Sequence, residues 1–198
     1  MADLAGVMVG NYFLLECLGH EGIVETYRAR PTTRGGCDVL MRIFRPSFPD
    51  LTGFQDHFMA EVEKVWRCRH DHILPLIEYG AGDGLLYCVS ELVEAQTLER
   101  YLEQHERTGA TLPVPLVVRW TTQLCEALAY AHERGIAHGN LQPSGILLRD
   151  DDTVLLTNFS MRRVAQDTDP AVAQVEEGNA AYIAPEQAVG MLSPASDI

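Results

Sequence analysis

The spacing of hydrophobic residues changes once along this chain, near Glu94. Before that point the apolar residues come in short runs, "YFLLECLG", "IVETYRAR", "CDVLMRIF" and "LLYCVSEL", divided by Gly, Pro and Asp-rich turns, which is the pattern of β-strands. One segment breaks the pattern. In "LTGFQDHFMAEVEKVWRC", Phe54, Phe58, Val62, Val65 and Trp66 recur at helical spacing with charges between them, so they read as the core stripe of one helix inserted in an antiparallel sheet.

After Glu94 the spacing is helical. "TLERYLEQHERTG" puts Leu98, Tyr101 and Leu102 on one face, and "PLVVRWTTQLCEALAYAHERG" aligns Leu116, Trp120, Leu124, Ala127, Leu128 and Ala131 before ending at Arg134-Gly135. Two short apolar runs, "GILLR" and "TVLLTNF", flank the acidic turn Asp150-Asp151-Asp152 and read as a hairpin. From Met161 to Tyr182 the chain is polar and aperiodic, a length of loop that usually has a function.

Composition narrows the class of partner. With 46% hydrophobic residues the chain can bury a core, and a formal net charge of -13 argues against nucleic acid or an anionic membrane surface. Cys17, Cys37, Cys68, Cys88 and Cys125 are scattered with no C-x-x-C pair, which fits reduced thiols in a cytoplasmic setting better than a disulfide framework or a zinc site. "MADLAGVMVGNYF" has no basic region and no long apolar run, so no signal peptide is expected, and no stretch is long and apolar enough to span a membrane. His70-Asp71-His72 has no nearby Cys or His to complete a metal site.

Seven motifs follow one another in a known order. "LGHEGIVETY" stands where a glycine-rich loop would be, and "VLMRIF" where a strand would carry a phosphate-binding lysine. Glu61 lies on the inserted helix, followed by "RHDHIL", "ELVEAQTLERYL", "HGNLQPSGILL", "TNFS" and "GNAAYIAPEQ". In this order they resemble the bacterial-type serine/threonine protein kinases over the whole chain. The resemblance implies an α+β, two-lobed protein-kinase-like fold. Residues 1–93 would form an N-terminal lobe of antiparallel sheet plus one helix, residues 94–198 a partial, mainly helical lobe, and residues 158–186 or so the activation segment. "SPASDI" resembles the start of the family's long central helix, with Asp197 as the aspartate that holds the catalytic loop. The family's remaining helices would follow Ile198. A lobe truncated there would expose an apolar face and favour oligomerisation.

The resemblance also implies where chemistry should be, and there the residues depart from the family. The general-base position is Asn140, an amide without useful basicity. The catalytic-loop lysine position is Gln142, the metal-holding asparagine position is Gly145, and the aspartate of Asp-Phe-Gly is Asn158. Phosphoryl transfer is positioning plus electrostatic stabilisation, and magnesium prefers anionic oxygen, so these replacements remove base and metal ligands together. The arginine preceding the base is Gly139, the threonine near the end of the activation segment is Asn179, and Thr168 is the remaining threonine of that loop.

The nucleotide-pocket positions implied are Gly19, Glu21, Gly22, Val24, Thr26, Leu40, Arg42, Ser90 and Leu147. Two of the three glycine positions of the phosphate loop are Glu21 and Val24, which obstruct close backbone approach, and Glu21 adds a negative charge. Leu40 adds bulk against an adenine. Arg42 replaces the lysine; its planar fork is not equivalent at a phosphate, but it would still pair with Glu61. The apolar spine joining the lobes maps to Val65, Leu76, His138 and Phe159. The sequence thus points to a pseudokinase that binds protein partners, with no cofactor and no metal, or with ATP held weakly and without metal. An ATP sensor without turnover and a divergent ATP-dependent kinase remain as alternatives.

Overall fold

A computed structural model of the chain describes residues 3–21, 24–45, 51–82, 84–159, 180–187 and 191–198. These divide into two compact units. Of the described residues, the first holds those up to Arg67 together with Pro75–Leu92, and the second holds Cys68–Leu74 and those from Val93 onward.

The first unit is built on a six-stranded antiparallel sheet: β1 (Met8–Val9), β2 (Tyr12–Glu21), β3 (Val24–Pro31), β4 (Val39–Phe44), β5 (Leu76–Gly82) and β6 (Leu85–Glu91), in the order β1-β2-β3-β4-β6-β5. The strands expected from the alternating runs all form. β1 and β5 lie outside those runs: Val9 of β1 pairs with Tyr12 and is buried, and β5 pairs with β6 along its length.

Alternation sorts the side chains of this sheet onto two faces. Val9, Tyr12, Leu14, Tyr27, Ala29, Val39, Met41, Ile43, Tyr87 and Val89 form one buried cluster, with Leu4 packed against it. Gly80 is required by that packing: a Cβ there would lie 2.6 Å from the Tyr87 hydroxyl. The inserted helix is α1 (Leu51–Trp66), which lies against β5. Phe54, Phe58, Val62 and Val65 are buried as expected, with the Phe44 and Phe58 rings edge to face at 4.9 Å. Trp66 departs from the stripe and is exposed. Its indole N–H donates to the Ile77 carbonyl at 3.2 Å and its ring meets Tyr79, contacts available to an amphipathic side chain in the last helical turn.

The second unit contains α2 (Leu98–Thr108), α3 (Val114–His132) and a three-stranded antiparallel sheet of β7 (Gln96–Thr97), β8 (Ile146–Leu148) and β9 (Val154–Leu156). β8 and β9 are the expected hairpin, and β7 extends it by two pairs, Gln96 with Leu148 and Thr97 with Leu147. Thr97 then caps α2, its hydroxyl accepting from the Arg100 N–H, and Gly109 ends that helix at φ 66°. On α3, Trp120, Ala127, Leu128 and Ala131 are buried and Leu116 and Leu124 half-buried, in line with the periodic face. Gln123 ties α3 to β9 by accepting from the Val154 N–H at 2.7 Å. Ile73 forms a parallel bridge to Leu156, which draws Cys68–Leu74 into this unit.

Candidate functional site

The segment from His138 to Gly145 is a loop between α3 and β8, and one buried carboxylate sets its start. Asp197 Oδ2 accepts the His138 N–H and Oδ1 accepts the Gly139 N–H, both at 2.7 Å, and the His132 ring nitrogen Nε2 meets Oδ2 at 2.8 Å. Gly139 holds φ 71°, and a Cβ there would come within 2.9 Å of Leu192. A larger residue at this position would strain the backbone and displace its neighbour. The Gly139 carbonyl in turn accepts from Gln187 Nε2 at 2.9 Å.

His138 is fully buried and its two nitrogens are assigned by their neighbours. Nδ1 accepts the Asn140 N–H at 3.2 Å, so Nε2 carries the proton and donates it to the Thr157 carbonyl at 2.7 Å. Burial pushes its pKa down to about 4, against the raising effects of the Thr157 hydrogen bond and of Asp197. This neutral imidazole is used on both sides for structure. Its ring packs on Phe159 with centroids 4.6 Å apart.

Beyond His138 lie the degenerate positions. Pro143–Gly145 forms a 3₁₀ turn, and the Gly145 carbonyl accepts both the Thr157 N–H at 2.9 Å and the Thr157 hydroxyl at 3.1 Å. A Cβ on Gly145 would stand 3.8 Å from Asn158 Nδ2 and 3.9 Å from the Asn140 carbonyl oxygen, both ordinary contacts. A Cβ at position 145 would therefore fit beside the Asn158 side chain and the Asn140 main-chain carbonyl. Asn158 sits at φ 67°, a conformation asparagine tolerates, and its Oδ1 is buried without a hydrogen-bond partner. A neutral amide oxygen beside a glycine is a poor donor set for magnesium, which favours carboxylates. Gln142 is buried in the same loop.

The nucleotide-pocket positions of the first unit lie on a single face of its sheet. Gly19 pairs with Thr26, Thr26 with Arg42, and Leu40 with Ser90, while Val24 and Leu40 are two residues along from Thr26 and Arg42. This is the face opposite the Tyr27 and Met41 cluster. Glu21 pairs with Val24, so β2 and β3 join across residues 22 and 23, and Gly22 lies outside the described residues. Gly19 has open space around it. Leu147 lies on β8, half-buried.

Among the described residues the expected Arg42–Glu61 ion pair is not formed. Glu61 Oε1 is 2.5 Å from Lys64 Nζ, one helical turn on, where the flexible lysine stem reaches it. Arg42 instead stands opposite Cys88 on the neighbouring strand and hydrogen-bonds its thiol. Val65 and Leu76 are buried in the first unit, and His138 and Phe159 in the second. Thr168, Asn179 and most of the activation segment lie outside the described residues. The sequence reading missed the parts played by His132, Thr157 and Gln187. Of these only His132, at the end of the periodic helix and six residues before His138, left a trace in the pattern.

This geometry agrees with what the chain is similar to. A family model described as protein tyrosine and serine/threonine kinase matches residues 18–198, so the chain belongs to the protein kinase family and has a protein-kinase-like fold. It is 28% identical over 185 residues to the serine/threonine-protein kinase PknD of Mycobacterium tuberculosis, covering 93% of this chain and 27% of that protein. It is 30% identical over 182 residues to PknH of the same organism, covering 92% of this chain and 28% of the relative. The chain thus spans under a third of the length of these relatives. Among solved structures, the PknI kinase domain of M. tuberculosis superposes with a TM-score of 0.74 at 26% identity, over 99% of this chain and 71% of that one. A double mutant of the same domain gives 0.77 at 27% identity, over 100% and 72%. No helix among the described residues is long and apolar enough to cross a membrane.

Proposed function

We propose that this chain is a pseudokinase: a bacterial-type serine/threonine kinase domain that does not transfer phosphate and works as a binding, scaffold or allosteric module. The observation that carries the reading is the set of residues at positions 140, 145 and 158, two amides and a glycine where the family needs a base and metal-holding oxygens, with Asn158 beside Gly145. Around that space the hydrogen bonds from Asp197, Thr157 and Gln187 keep the loop in shape. The retained framework supports a role in conformation and contact.

The proposed partner is a protein, met in the cytoplasm. The acidic balance of the chain disfavours nucleic acid, and Val114, Val117 and Val118 form an exposed apolar stripe at one end of α3 that suits a protein surface or a second copy of the chain. Neither a metal nor a tightly held nucleotide belongs to this proposal.

A second reading, an ATP sensor without turnover, is favoured by the shared face of Thr26, Leu40, Arg42 and Ser90, which keeps one cation against that surface. A thermal melt with about 1 mM ATP in magnesium, manganese or EDTA separates the readings. Binding a hundredfold above the dissociation constant would add about 2.7 kcal/mol. The pseudokinase without nucleotide predicts no shift in any condition. A shift in EDTA selects the sensor, and a shift that requires metal overturns the argument from Asn158 and Gly145.

A further inference from the structure

Among the described residues, Cys17 has an imidazole beside it. Its Sγ lies 3.3 Å from His20 Nε2, and the next polar neighbour, the Gly19 carbonyl, is at 3.7 Å. On the other side of the ring, His20 Nδ1 is 3.8 Å from Glu25 Oε1, beyond hydrogen-bond distance but near its charge. Glu25 is almost wholly buried and fixed by the Tyr27 hydroxyl at 2.9 Å and the Arg45 guanidinium at 2.7 Å. His20 Nε2 is within hydrogen-bond reach of the thiol, and a nucleophile with a base in reach of it is the pair an activated nucleophile needs. All the residues belong to the first unit.

The remaining thiols supply the contrast. Burial pushes the Cys68 and Cys88 thiols up and hides them. Cys37 and Cys125 are exposed, and among the described residues no histidine contacts either. Cys17 is half-buried against the sheet core, opposite Tyr27, so exposure alone would rank it below Cys37 and Cys125.

We propose that Cys17 is a modification site, a thiol activated by His20 that takes hydroperoxides and other soft electrophiles. With hydrogen peroxide, His20 Nε2 accepts the thiol proton and the sulfur attacks the nearer peroxide oxygen. The O–O bond breaks as the S–O bond forms, sulfur is oxidised by two electrons to the sulfenic acid, and the departing hydroxide takes the proton from His20 and leaves as water. The product stands two residues before Gly19, at the edge of the nucleotide face.

The test is site-resolved labelling of the whole chain. With iodoacetamide, mass spectrometry should find Cys17 labelled faster than Cys37 and Cys125, and a rate at or below that of Cys37 would overturn the proposal. His20→Gln should slow Cys17 about tenfold while leaving the Cys37 rate and the melting midpoint unchanged, because His20 is largely exposed and its loss removes a base rather than a packing contact. An unchanged Cys17 rate in that variant overturns the role of His20. Under hydrogen peroxide with dimedone as trap, the adduct should appear on Cys17 first; its appearance on Cys37 or Cys125 first would overturn the assignment.

Discussion

The Asp197 carboxylate accepts the backbone N–H of Gly139 at 2.7 Å across 58 residues of sequence. With the His138 N–H on its other oxygen, it satisfies two buried donors at the start of the loop that carries Asn140, Gln142 and Gly145. Asp197→Ala leaves those donors and His132 without their acceptor. It should cost about 2–5 kcal/mol of stability, read from a denaturant midpoint. A loss under about 1 kcal/mol would mean that the loop does not depend on this anchor.

Phe159 is buried and packed on His138, whose ring it meets at 4.6 Å. Phe159→Ala should destabilise the fold by about 3–5 kcal/mol, and a melting midpoint close to that of the natural chain would contradict its placement.

His138 titrates against the fold. Its pKa is about 4 in the native state, mainly through burial, and 6.5 is the ordinary value for an unfolded chain. Between these values the unfolded chain binds more protons, so stability rises with pH there. The contribution is fully present above about pH 6.5 and is lost as pH falls toward 4, by up to about 3 kcal/mol. Urea midpoints at pH 7.5 and 5 should differ more for the natural chain than for His138→Gln. Equal differences would show that the imidazole is not held neutral.

Position 145 has room for a Cβ. A Cβ on Gly145 would make contacts no closer than 3.6 Å, and Gly145 has no positive φ. Gly145→Asn should therefore change stability by no more than about 1 kcal/mol. A loss several times larger would mean that the space beside Asn158 is closed.

Much of this was legible before the structure. The period-two runs gave the strands, the helical stripes gave α1 and α3, and Asp150–Asp152 marked the β8–β9 turn. Thr26, Leu40 and Arg42 were named from the resemblance alone, and the register of β3 with β4 puts them on one face. β1 and β7 were illegible because each is two residues long, and β5 because its sequence LIEYGAG has one buried side chain and two glycines. The pairing of Glu61 was misread because a motif names residue types and not the rotamer that wins, and Lys64 is closer along the helix. Gln187 and Thr157 act through long-range hydrogen bonds to the loop, one from Gln187 and three at Thr157, which leave no local pattern.

Restoring carboxylates alone does not rebuild the site. In Asn140→Asp with Asn158→Asp, Gly145 still offers no ligand, Gln142 no charge, and Leu40 still stands on the nucleotide face. That double variant should transfer no phosphate, and detectable transfer would overturn this account of the pocket.

The most direct measurement is transfer of labelled γ-phosphate from ATP by the natural chain, to itself and to a general serine/threonine protein substrate, with magnesium and with manganese. The pseudokinase account predicts incorporation no greater than in a sample without the chain. Incorporation that grows with the amount of chain and needs metal would contradict it, and would mean that other residues supply the base and the metal oxygens that positions 140, 145 and 158 lack.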